Sequence, residues 1–280
     1  MKTALAALAF VLLSGVSALA GTVRPVLVEV YTSQGCNSCL SANALAAKLA
    51  QKPNVLVLSF AVNYWDMFGW KDTLASDDNT RRQKSYAAAL RRGGIYTPQM
   101  VIDGVRDVPA SRPEAVSYAL EMAAMARDEG YGRDDGVPMA LARRDGAPQA
   151  VAVVAAARVK TQPPGVWSVG VNLTRTPDGL KIAIEKAPER RRLDATIWLF
   201  RIRSAATVKI TSGESAGQTV AYRNVVTGIQ NLGPWRGDGR LIDVPHAAGK
   251  IAPHDAVAVV VQQGGFGRVV GAAFQNGSLY

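Results

Sequence analysis

Val26-Leu27-Val28-Glu29-Val30-Tyr31-Thr32-Ser33-Gln34-Gly35-Cys36-Asn37-Ser38-Cys39 runs a β-rich apolar segment directly into the only two cysteines of the 280-residue chain. Val26–Tyr31 reads as a strand and Ser33-Gln34-Gly35 as a turn. Leu40, Ala44, Leu45 and Leu49 then recur at helical spacing as far as Pro53-Asn54. The cysteines therefore stand where a strand gives way to a helix. A helix N-terminus offers free backbone N–H groups and the positive end of the helix dipole, which stabilise a thiolate. Thiolate is the attacking form, so Cys36 is expected to be the nucleophile, the more exposed sulfur, and more acidic than a free thiol. Cys39, one turn along and facing inward, would resolve a mixed disulfide. Two other readings stay open. A structural bridge is one, although closing so short a loop constrains the unfolded chain little. A metal site is the other, although two thiolates rarely suffice and the only histidines, His246 and His254, are far along the chain. No metal and no cofactor is expected.

Outward from this stretch, strand and helix patterns alternate. Val55–Val62 is a near-continuous apolar run, as a strand covered on both faces should be. Asp77 or Asp78 is expected to cap a helix running through Tyr86 and Leu90 to Gly93-Gly94. Gln99–Ile102, Asp103-Gly104 and Val105–Val108 form a tight hairpin signal. Ser111-Arg112-Pro113-Glu114 is a capping box opening a helix with Val116, Leu120, Ala123 and Met125. The order is β-α-β-α-β-β-α.

Beyond the turn-rich Gly130–Gly136 the pattern changes to strands alone: Ala150–Val159, Val166–Thr174, Leu180–Ile184, Ala195–Ile202, Thr207–Thr211, Gln218–Val226, Val257–Gln262 and Arg268–Phe274. The expected organisation is an α/β domain over residues 21–130 and an all-β, sandwich-like domain over 137–280.

Ahead of both, Lys2, the apolar run Ala4–Val16 and Ala18-Leu19-Ala20 read as a cleaved signal peptide over residues 1–20, with the mature chain starting at Gly21. No other stretch approaches about 18 consecutive apolar residues, so no membrane span is expected. The protein is read as exported, most simply to a periplasm, where disulfides persist. Its net charge of +10 comes from dispersed arginines without interleaved aromatics, so no nucleic-acid partner is expected.

The order β-α-β-α-β-β-α with its two cysteines after the first strand resembles the thioredoxin fold. Tyr96-Thr97-Pro98 stands where that fold carries a cis-proline beside the cysteines, which the resemblance implies for Pro98. The match narrows further. Val28–Cys39, Asn63-Tyr64-Trp65-Asp66, Gly69-Trp70-Lys71-Asp72 and Tyr96–Gly104 resemble a secreted bacterial family of unknown function with a thioredoxin-like core. Arg223-Asn224-Val225-Val226, Leu232-Gly233-Pro234-Trp235, Val260-Val261-Gln262 and Gly271-Ala272-Ala273 extend the likeness into the second half. The resemblance implies a thioredoxin-like fold and a redox centre, without a substrate. The chain departs from the family pattern at Leu40-Ser41-Ala42-Asn43, Ala61 and Asn63, where the family carries prolines, acids and a histidine.

Around the cysteines, Glu29 is a candidate proton acceptor for the resolving thiol. Gln34 and Thr97 offer polar atoms to the site. The aromatic segment Tyr64–Asp72 is read either as a cover or peptide grip, or as packing between domains, and Asp66 with Asp72 is a weak cation signal. The expected function is an exported thiol–disulfide redox protein acting on protein or small thiols and disulfides, with Cys36, Cys39, Pro98, Thr97 and Glu29 as its site. The alternatives are a non-enzymatic interaction protein of the cell envelope and, third, a metal carrier.

Overall fold

The computed structural model describes residues 24–128, 168–188, 193–245 and 255–276. The signal segment, the expected domain boundary at 130–137, the Ala150–Val159 run and both histidines lie outside them. The first half forms β1 (Val26–Thr32), α1 (Cys39–Leu49), β2 (Val55–Ala61), α2 (Asp77–Ala89), β3 (Gln99–Ile102), β4 (Arg106–Pro109) and α3 (Pro113–Asp128), with a 3-10 turn at Asp66–Phe68. The second half forms β5 (Val171–Thr176), β6 (Gly179–Ile184), β7 (Ala195–Lys209), β8 (Thr219–Trp235), β9 (Arg240–Pro245), β10 (Ala256–Gln263) and β11 (Val269–Asn276).

β1 is buried along its whole length, Glu29 included, as a strand covered on both faces is. Ser76, rather than Asp77 or Asp78, caps α2 by accepting the Asn79 N–H, leaving both aspartates in the first turn where the helix dipole favours them. α2 ends at Ala89, short of the glycines, with Arg91 in the left-handed region just beyond. The β3–β4 turn is built as its Asp-Gly pair predicts, with φ of 49° at Asp103 and 74° at Gly104.

The two halves do not form separate sheets. Eight strands make one mixed sheet in the order β11-β10-β7-β8-β2-β1-β3-β4. β1 is parallel to β2 and antiparallel to β3, which is antiparallel to β4. β8 joins β2 in parallel through one registered pair, Ser59 with Val225. Side chains complete that seam: Ser59 Oγ donates to the Arg223 carbonyl at 2.7 Å, and Asn224 Nδ2 to the Val57 carbonyl at 2.9 Å. The expectation of a self-contained sandwich is corrected accordingly. Among the described residues only the small antiparallel sheet β5-β6-β9 lies apart, packing Leu180, Ile182 and Ile184 against Ile197, Leu199, Val257 and Val259 of the large sheet. The fold is β-rich with few helices. Ala195–Ile202 and the start of Thr207–Thr211 fuse into one 15-residue strand that ends at Lys209. Gln218–Val226 falls, from Thr219 on, within a 17-residue strand, and β9 lies where no strand is expected from sequence.

One core cluster runs through both halves, joining Leu27, Tyr31, Phe60 and Tyr86 to Phe200, Ile202, Ala258 and Val260. The opposite face of β1 buries Val28 and Val30 against Ala42 and Ala46 of α1 and Val116 and Ala119 of α3. α1 and α2 therefore cover opposite faces of the sheet, and the strand end between them carries the cysteines.

Candidate redox site

After β1 the chain turns through Ser33-Gln34-Gly35. The Gly35 N–H donates to Ser33 Oγ at 3.1 Å, and the Cys36 N–H to the Ser33 carbonyl at 3.3 Å. A Cβ on Gly35 would stand 3.3 Å from Trp65 Cβ, so the turn passes hard against that side chain. Cys36 and Cys39 are joined in a disulfide with Cα atoms 5.3 Å apart. The Cys39 N–H donates to the Cys36 carbonyl at 3.0 Å, winding the chain into α1. Cys39, not Cys36, begins the helix, and Ser38 Oγ lies 3.4 Å from Cys36 Sγ.

Both cysteines are fully buried, at 0% exposure. The expected difference between an exposed Cys36 and a sheltered Cys39 is not found. The reason is long-range. Beyond the sheet, β7 and β8 continue as a two-stranded arm, with Ala205 facing Arg223 and Lys209 facing Thr219. The arm's Ile210, Val220 and Tyr222, with Val225 at its base, pack on Leu40 at the start of α1, on Trp70 and on Leu74. At its tip, Ser212 Oγ donates to the Gly69 carbonyl at 2.6 Å, and Glu214 Oε2 accepts the Asn37 N–H between the cysteines at 3.5 Å. A Cβ on Gly213, where φ is 76°, would meet Trp70 Cβ at 3.1 Å.

Trp65 and Trp70 also flank the cysteine turn. Trp65 Nε1 donates to Thr97 Oγ1 at 2.8 Å, tying the loop after β2 to the residue before Pro98. The Thr97–Pro98 peptide is cis. Trp70 Nε1 donates to Gln34 Oε1 at 2.7 Å. Asp72 is buried and accepts the Gln34 N–H at 2.7 Å and the Leu74 N–H at 2.8 Å, while Asp66 Oδ1 accepts the Asp72 N–H at 3.0 Å. Burial pushes the Asp72 carboxyl above its ordinary range, against the pull of those N–H donors. Tyr222 is raised by burial and by the Asp72 charge. Among the described residues no three His, Cys, Asp or Glu side chains converge as metal ligands.

Glu29 is not brought to the cysteines. It belongs to the face of β1 opposite α1 and is fully buried. Arg82 Nε donates to its Oε2 at 2.6 Å and Arg82 Nη2 to its Oε1 at 2.7 Å, with Tyr31 and Tyr86 hydroxyls at 3.0 and 2.6 Å. Arg82 Nη2 also reaches Gln262 Oε1 of β10 at 3.1 Å, and the guanidinium lies 4.9–5.7 Å from five ring centroids, including Trp198, Phe200 and Phe266 of the second half. Burial works to lower the Arg82 pKa, and the Glu29 charge more than offsets it. Burial and Glu29 together raise both tyrosines.

Arg82, Gln262 and the arm residues Ser212 and Glu214 were not singled out from sequence. Arg82 is one of several dispersed arginines, and nothing local distinguishes it from a solvated one.

Compared with known proteins, the chain is similar over 91% of its length to a crystal structure of a protein from Agrobacterium tumefaciens, covering 95% of it at 26% identity with a TM-score of 0.67. It shares a fold with HBP35 of Porphyromonas gingivalis, at 11% identity and a TM-score of 0.55 over 90% of this chain and 75% of that one. No curated protein matches it. Residues 27–171 and 140–262 match the family described as a protein of unknown function, DUF1223, so the chain belongs to that family.

Proposed function

We propose that this protein is an exported thiol–disulfide redox protein with a thioredoxin-like core and Cys36–Cys39 as its centre. The observation that carries the reading is the disulfide at the junction of a central strand and a helix. It is supported by the strand order β2-β1-β3-β4, with β1 parallel to β2 and antiparallel to β3, which is the arrangement a thioredoxin-like core requires. In the reducing direction, the Cys36 thiolate attacks one sulfur of a partner disulfide, forming a mixed disulfide and releasing the partner's other sulfur as a thiolate. The Cys39 thiolate then attacks the Cys36 sulfur, closes the pair and releases the second partner thiolate. Two electrons pass to the partner, and two protons follow to its thiols. The oxidising direction is the same sequence reversed, beginning with a partner thiolate attacking Cys36 of the closed disulfide.

The test is mixed-disulfide trapping in the cell envelope. Cys39→Ser should accumulate adducts through Cys36, and Cys36→Ser should form none. A second reading, a passive bridge in an interaction protein, is favoured by the complete burial of both sulfurs. Under that reading neither variant traps a partner and both lose only stability.

A further inference from the structure

We propose that Asp72 is a positioning residue of the Cys36–Cys39 centre, its carboxylate holding the Ser33–Gly35 turn in the conformation in which the two sulfurs meet. The proposal rests on the redox reading of the pair. Asp72 lies 33 residues beyond Cys39 in the chain, yet its Oδ2 takes the Gln34 N–H at 2.7 Å, two residues before Cys36. Its Oδ1 takes the Leu74 N–H, and its own N–H is held by Asp66. The Gln34 side chain returns the contact: its Oε1 accepts from Trp70 Nε1 at 2.7 Å and from the Thr73 N–H at 3.2 Å, and its Nε2 donates to Thr73 Oγ1 at 3.1 Å. Residues 70–74 and Gln34 thus form one hydrogen-bonded clamp, and the cysteine turn hangs from it.

The carboxylate is an unusual choice for such a clamp. It is 5% exposed, and no Lys or Arg among the described residues forms an ion pair with it. The titratable groups facing it are Asp66 of its own loop and Tyr222 of β8, whose hydroxyl is buried without a hydrogen-bond partner. A buried carboxylate without a cation is disfavoured. The two N–H groups reach different oxygens, so an amide in the same place would turn its NH2 toward one of them. Two backbone donors explain the residue type, and burial explains why its carboxyl is raised. Protonation puts a hydrogen on an oxygen that must accept one. Lowering the pH through the raised range therefore loosens the grip on Gln34, and with it the preference for the closed disulfide.

The experiment equilibrates the full-length protein with glutathione buffers from acid to alkaline pH and reads the oxidised fraction by thiol trapping and mass. Asp72→Asn should favour the dithiol at least tenfold at neutral pH, a shift of ~30 mV toward easier reduction for this two-electron couple. The wild-type potential should break from its straight dependence on pH above the ordinary carboxylate range. The break should vanish in Asp72→Asn and persist in Asp66→Asn, which loosens the same loop but keeps the carboxylate. A potential in Asp72→Asn within twofold of wild type overturns the proposal. So does an unbroken wild-type line, which needs no variant to fold. A shifted potential with no trapped partner in Cys39→Ser would instead sink the redox function while leaving the positioning role intact.

Discussion

Replacing Arg82 by Leu tests whether the two halves are one cooperative unit. The guanidinium is 3% exposed and supplies two of the four hydrogen bonds that Glu29 accepts, at 2.6 and 2.7 Å. Leucine fills part of the aromatic surround but leaves a buried carboxylate with only the Tyr31 and Tyr86 hydroxyls. Breaking a buried pair from one side costs about 3–5 kcal/mol, because the remaining charge is uncompensated. Gln262 Oε1 loses its Arg82 donor as well, at about 1 kcal/mol. In a chain of this size the total corresponds to a fall of roughly 8–24 °C in Tm. The assay is urea unfolding followed by tryptophan fluorescence. Trp198 of β7 and Trp65 beside the cysteine turn should report a single transition, because Arg82 touches both halves. Glu29→Gln should be destabilising alone, and the double variant should lose less than the two losses added, by about 0.5–3 kcal/mol. A loss below about 1 kcal/mol in Arg82→Leu would refute the reasoning, as would additive losses.

Replacing arm-tip residues 211–217 by a two-residue turn should speed reduction of Cys36–Cys39 by dithiothreitol at least tenfold, read by thiol labelling, since the tip meets Asn37 between two cysteines of 0% exposure. Gly104→Ala should cost at least ~2 kcal/mol in urea unfolding, because its Cβ would meet the Gly267 carbonyl oxygen and because φ is 74°. Asp72 has a raised carboxyl, so it binds its proton more tightly folded than unfolded. Ionising the buried carboxyl costs desolvation that its grip on Gln34 only partly offsets, so its contribution to global stability is present at low pH and fades as pH rises through the folded value, and Asp72→Asn should flatten that part of the stability curve. N-terminal sequencing of the exported protein should begin at Gly21, and recovery of an intact Met1 would count against export.

Short-range patterns were legible without coordinates. The β1 run, the helix after Cys39, the Val55–Val62 strand and the Asp103-Gly104 turn each depend on residues a few positions apart, where periodicity and turn chemistry act. The two cysteines were legible for the same reason, since a disulfide between them needs only a local turn. The arm was not. Arg203 and Ser204 interrupt the alternation of β7, so one long strand read as two short ones, and the residues that meet Asn37 and Leu40 beside the cysteines include Ile210 and Glu214.

By itself, then, the sequence determined the order of elements in the first half and the adjacency of Cys36 and Cys39, because hydrogen bonding and hydrophobic period within a segment decide them. Tertiary structure alone decided that β8 would pair with β2 and merge both halves into one sheet. It also decided that both sulfurs would be covered, that Glu29 would face Arg82 across the sheet from the cysteines, and that Asp72 would hold Gln34. Each of those depends on which distant surfaces meet. A buried charge or an unpaired strand edge accepts whatever donor the folded chain delivers, and the local sequence around Glu29 or Gln34 carries no record of the partner.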